Sequence, residues 1–129
     1  MTPLLLDTNA LLWYLLQPAL LSAAARRAIE RAPALAVSAA TVWEVTTKHR
    51  IGKLPEVGPL VAHGLLAALA AQAIAVLAIT GPDAEWAGSH LAAHRDPFDR
   101  MVAAQAVLRG LSVVSSDPHL DTLGAARLW

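Results

Sequence analysis

Short apolar runs alternate along the chain with longer stretches that have a helical rhythm. Leu4-Leu5-Leu6 is stopped at once by Asp7-Thr8-Asn9. An unbroken run of this kind fits a strand buried on both faces, as parallel sheets require. Leu35-Ala36-Val37, residues 74–79 and Leu111–Val114 predict three more strands, and Ala126–Leu128 allows a short fifth. Between them lie predicted helices over Ala10–Leu16, ended near Pro18, and from an N-cap at Ser22 to Arg31. A further helix runs over Ala39–Arg50, capped by Ser38 and stopped at Gly52. Residues 58–72 predict another, with Pro59 in its first turn, and Gly81-Pro82 opens one that reaches His94. Asp96 then caps a helix that starts at Pro97 and ends at Gly110. Strands alternating with helices imply crossover connections. The expected fold is α/β: a mainly parallel sheet of four to five short strands, helices on both faces, in one domain over residues 1–129.

Leu60 to Ile79 carries no formal charge and has the length of a membrane span. It also contains His63, Gly64 and Gln72, and much of the remainder is alanine, which inserts weakly. It is therefore expected to be a helix followed by a buried strand, with no membrane association. The first residues lack the basic start of a signal peptide, so a cytoplasmic location is expected.

Apolar residues make up 56% of the 129, which excludes a disordered tail and predicts a substantial core. Ten basic and ten acidic residues cancel, so any nucleic-acid contact must be local. A neutral surface rich in alanine and leucine points towards self-association or a protein partner. The absence of cysteine excludes disulfides, zinc-thiolate sites and thiol catalysis.

Few acids are present, so their positions carry information. Asp7 follows the first strand and Asp117 the fourth, and ligand sites in parallel sheets lie beyond the carboxyl ends of the strands. Glu44 sits inside the helix after the second strand, among Val42, Trp43 and Val45; Asp99 lies in the first turn of the Pro97 helix. Each has an ordinary explanation. Asp99 could favour the helix dipole, Glu44 could complete a capping box with Thr41, and Asp7 and Asp117 could be turn residues. Together they suggest more, because two carboxylates at about 4 Å repel by roughly 4 kcal/mol at an effective dielectric near 20. A cation or shared protons must offset that. Oxygen ligands without cysteine favour Mg²⁺ or Mn²⁺ over zinc.

Other features are weaker. His90 and His94 are spaced to share a helix face but lack the intervening glutamate of a zinc protease motif. Ser38 lacks a nucleophile-elbow frame, and no glycine-rich phosphate loop is present. Trp13, Trp43, Trp86 and Trp129 are expected in the core or at an interface rather than as base-stacking platforms. Lys48-His49-Arg50 with Lys53 forms the one compact basic cluster, and Arg100 follows Asp99. Lys48, Arg50 and Arg100 are candidate phosphate contacts; a charged helix end explains the cluster equally.

Taken in order, these segments resemble the PIN-domain ribonucleases, specifically toxins of the VapC type. The resemblance rests on Leu5-Leu6-Asp7-Thr8-Asn9-Ala10-Leu11-Leu12-Trp13, on residues 38–45 and 48–54, and on Arg95-Asp96-Pro97-Phe98-Asp99-Arg100 with Ala104-Gln105-Ala106. Ser116-Asp117-Pro118 and Arg127-Leu128-Trp129 complete it. It implies a PIN-like three-layer α/β/α fold and an acidic site of Asp7, Glu44, Asp99 and Asp117, with Asp99 rather than Asp96 as the third acid. It departs from the family pattern at Asn9, often His, and at Ser115-Ser116, often Thr-Ala; neither change removes an acid. It further implies metal-dependent hydrolysis of RNA, a homodimer, and silencing by a cognate antitoxin protein. In that chemistry Asp7 and Asp99 would be the principal metal ligands. Glu44 and Asp117 would bind a second ion or orient water.

Three other classes fit less well. A haloacid-dehalogenase-like phosphatase would need a second Asp where Asn9 stands. A receiver-like signalling domain would need an acidic pair and a lysine after a late strand, where Ser115-Ser116 stand. A catalytically silent PIN-like binding module would have no need to keep all four acids.

Overall fold

The leucine run at the start of the chain is the middle of a sheet. In the computed structural model, which describes residues 2–129, Leu4–Leu6 form β1 and Leu35–Ser38 form β2. Ile74–Leu77, Ser112–Val114 and Ala126–Leu128 form β3, β4 and β5. The strand order is β3-β2-β1-β4-β5 and every pairing is parallel. The helices are α1 (Thr8–Leu16), α2 (Ala23–Arg31), α3 (Ala39–Arg50), α4 (Gly58–Ala62), α5 (Leu65–Ala71), α6 (Gly81–Ser89), α7 (Pro97–Arg109) and α8 (His119–Thr122).

Side chains alternate across a strand, so β1 feeds two cores. Leu4 and Leu6 join Val37, Ile74 and Val114 beneath α1, α2 and α5. Leu5, with its lateral neighbours Ala36 and Val113, faces α7 and the buried Leu120 and Leu123. This makes three layers, helices over both faces of a fully parallel sheet, as the resemblance implied. An ion pair ties α6 to α7: the partly exposed Arg109 grips both carboxylate oxygens of the buried Asp83 at 2.8 and 2.9 Å. Asp83 also completes a capping box with Thr80 at the start of α6.

Several predicted boundaries are corrected. The first helix begins at Thr8 because Asp7 caps it, and Pro18–Leu20 adds a single 3-10 turn. The helix expected over 58–72 is broken into α4 and α5 at Gly64, whose φ of 94° is open to glycine and strained for other residues. β3 stops at Leu77 rather than residue 79. The helix expected to reach His94 ends at Ser89, and α8 was not anticipated. β2 extends to Ser38 and β4 begins at Ser112; Asp96 caps α7 through the Phe98 and Asp99 amides as expected, and Gly110 closes it in the left-handed conformation. No helix is long and apolar enough among the described residues to cross a membrane; the Leu60–Ile79 stretch is divided among α4, α5 and β3.

Candidate active site

The chain passes from β1 outward to β2 and β3, then returns to β4 on the other side of β1. That reversal is a topological switch point, where the loops beyond adjacent strands part and leave a crevice. Asp7 leaves the end of β1 here, and its amide still donates to the Val114 carbonyl of β4 at 3.1 Å. Its carboxylate accepts from the Ala10 amide at 2.8 Å, so Asp7 is a helix cap as well as a site residue. The residue is only 6% exposed. Burial pushes its carboxyl up to about 6, with Asp99 and Asp117 adding repulsion; the Ser115 side chain and Ala10 amide pull the other way.

Glu44 reaches the same edge from α3, which Ser38 caps through the Ala40 amide. The capping box with Thr41 is therefore not formed. Instead the Thr8 hydroxyl donates to Glu44 Oε1 at 2.5 Å and lies 3.2 Å from the Thr41 hydroxyl. Lys48 Nζ, one turn further along α3, donates to Glu44 Oε2 at 2.5 Å. Arg50 lies six residues from Glu44, about 120° away around the helix, and is exposed. Among the described residues, Lys48 is the member of the basic cluster that pairs with an acid.

Asp99 enters from the first turn of α7 and meets His94 Nε2 at 2.8 Å. Burial raises its carboxyl above the usual range, and repulsion from Asp96 and Glu44 adds to this; the contact with His94 opposes both. Asp117, after β4, accepts from the amide and Nδ1 of His119 at 2.9 Å each. The two imidazoles stack, with centroids 5.5 Å apart and planes 14° apart. One ligand atom from each of His94, Asp99 and Asp117 lies within 4.8 Å of the others.

The expected pairing of His90 with His94 on one helix does not occur. His90 terminates α6 and packs on Trp86, whereas His94 lies in the following loop. Arg100 shapes that loop. It donates to the carbonyls of Ala87 at 2.6 Å, Ala92 at 2.9 Å, His94 at 2.7 Å, and His90. With these donors committed to the backbone, Arg100 is an organiser of the loop rather than a free contact for phosphate. Trp43 is not in the core but 62% exposed, edge-on to Phe98 in an apolar groove of about 260 Å³.

The four acids act on one another electrostatically: Asp7 feels Asp99 and Asp117, and Asp99 feels Glu44. Among the described residues no lysine or arginine pairs with Asp7, Asp99 or Asp117. Mutually repelling carboxylates, with Asp7 buried and Asp99 and Asp117 partly exposed, none of these three paired with a lysine or arginine, are a donor set that fits a divalent ion. Thr8, Ser115, His94 and His119 were not singled out as site residues from the sequence. For Thr8 and Ser115 the only local signal was adjacency to strand ends that carry acids.

The PIN domain family model matches residues 4–125. Among solved structures, a chain of a toxin–antitoxin complex from Klebsiella pneumoniae is similar, with a TM-score of 0.58 at 20% identity. The match covers 88% of this chain and 86% of that one. No curated protein matches the sequence significantly.

Proposed function

The chain belongs to the PIN-domain family, whose members are generally nucleases, and we propose that it is a metal-dependent endoribonuclease acting as the toxin of a toxin–antitoxin pair. One observation carries the reading. Asp7 is buried at the switch point of the sheet with no lysine or arginine among the described residues paired to it, Asp99 and Asp117 repel it, and Glu44 repels Asp99.

In this reading Asp7 and Asp99 hold Mg²⁺ or Mn²⁺, with Glu44 and Asp117 completing the site or orienting water. When bound, the ion acidifies the attacking water and offsets charge gathering on the phosphate. The chain's own residues prepare the site. The Thr8 hydroxyl fixes one oxygen of Glu44, and Lys48 balances the other. The Ala10 amide fixes one oxygen of Asp7, and the Ser115 side chain also favours its charged form. Lys48 contributes positive charge for RNA at the rim, and Arg50, further around α3, contributes less.

The partner reading rests on different support. Leu16, Leu20, Ile51 and Leu66 are exposed large apolar side chains, and the similar Klebsiella chain comes from a toxin–antitoxin complex. A cognate antitoxin and a second copy of the chain are the proposed occupants, with the protein working on cytoplasmic RNA.

The deciding experiment is cleavage of total RNA with Mg²⁺ or Mn²⁺, with and without chelator, by wild type and Asp7→Asn. Metal-dependent cleavage that disappears in the variant is expected. Binding of RNA with no cleavage under any metal would replace this reading with a catalytically silent PIN-like module.

A further inference from the structure

His94 is held in a defined position beside the acids. Its backbone is pinned, since its carbonyl accepts from Arg100 Nη1 at 2.7 Å and Arg100 also holds the carbonyls of Ala87, His90 and Ala92. Its side chain is only 16% exposed, and its ring is stacked on His119. The outcome is that Nε2 is aimed at Asp99 Oδ2 from 2.8 Å, with an Asp117 oxygen inside the same 4.8 Å group.

Two atoms bound to one transition-metal ion at about 2.1 Å each lie roughly 3 Å apart. The His94–Asp99 hydrogen bond, at 2.8 Å, already holds the two atoms at a separation compatible with that spacing. We propose that His94 is a direct ligand of the divalent ion through Nε2, so that the centre is a mixed nitrogen–oxygen site rather than an all-oxygen one. The inference rests on the reading that these acids hold a divalent ion. Binding uses the neutral ring with its proton on Nδ1. The neighbouring imidazole has a different place: His119 spends Nδ1 on Asp117 and is 70% exposed, so it backs the His94 ring and keeps Asp117 oriented.

The consequence is selectivity. Mg²⁺ takes oxygen ligands and gives up water reluctantly, whereas imidazole nitrogen suits the first-row transition ions. A site that includes Nε2 favours Mn²⁺ over Mg²⁺ more strongly than the four carboxylates alone would.

The test is pulsed electron paramagnetic resonance of Mn²⁺ added to the full chain, read for hyperfine coupling to a directly bound nitrogen. Wild type should show that coupling, and ¹⁵N-histidine labelling should change it, which needs no variant at all. His94→Gln should lose the coupling and bind Mn²⁺ about 10- to 100-fold more weakly; His119→Gln should keep it. The excess of Mg²⁺ needed to displace Mn²⁺ should fall by about tenfold in His94→Gln. Mn²⁺ bound to wild type without nitrogen coupling, or coupling that survives His94→Gln, overturns the assignment and leaves the carboxylate site standing. Failure of wild type to bind Mn²⁺ at all overturns both.

Discussion

The Thr8 hydroxyl donates to Glu44 Oε1 at 2.5 Å across 36 residues of sequence, joining the end of the first strand to the middle of α3. It fixes the direction of a carboxylate that is otherwise held only by the flexible Lys48. Thr8→Val keeps the shape and removes the donor. It is expected to cost about 1 to 2 kcal/mol in paired melts and to lower RNA cleavage by about 10- to 100-fold. Full activity in the variant would show that Glu44 needs no such orientation.

Asp7→Asn should be inactive yet no less stable than wild type in chelator at pH 7. The Asn oxygen can still cap Ala10, while the buried charge is gone. Because the folded carboxyl is pushed up to about 6 from 3.8, ionisation works against the fold. The stabilising effect of the neutral form is complete below pH 3.8 and lost as pH rises through 6, a swing of about 3 kcal/mol. Wild type should weaken over that window and the variant should not. Excess Mn²⁺ should raise the melting temperature of wild type by mass action and that of Asp7→Asn much less. Equal metal responses would reduce Asp7 to a helix cap.

Lys48 and Arg50 should separate in RNA binding. Lys48 turns to the acids, and Arg50 lies about 120° from Glu44 around the helix. Lys48→Ala should reduce the slope of log affinity against log salt by about 0.7. Arg50→Ala should change it by a fraction of that amount. The measurement is a salt titration of binding to single-stranded RNA in an inactive background. Equal slopes for both variants would contradict the geometry.

Asp83 gives a stability prediction away from the site. The bidentate Arg109 guanidinium holds its carboxyl well below the usual carboxylate range. A lowered value means the contribution is present above the unfolded value of 3.8 and is lost as pH falls towards the folded one. Asp83→Asn should therefore cost about 2 kcal/mol at pH 7, discounted for the partly exposed Arg109. The gap between variant and wild type should narrow below pH 4 in denaturant titrations.

Local pattern by itself determined the strands, the caps at Ser22, Ser38 and Asp96, and the stop at Gly110, because those signals act within one turn or one pleat. It also determined that Asp7 and Asp117 leave strands at one edge, since parallel strands share a direction. The family resemblance added the grouping of Asp7, Glu44, Asp99 and Asp117, which no spacing along the chain could supply. What only the tertiary structure decided depends on loop conformation and on packing between elements. α6 ends at Ser89 and the next loop carries His94 to Asp99, with four backbone carbonyls of that region meeting the single Arg100 guanidinium. Thr8 reaches Glu44 only because crossovers set β2 beside β1. Hydrogen bonds that span tens of residues leave no periodic trace in the chain; they exist once packing has brought the partners within about 3 Å.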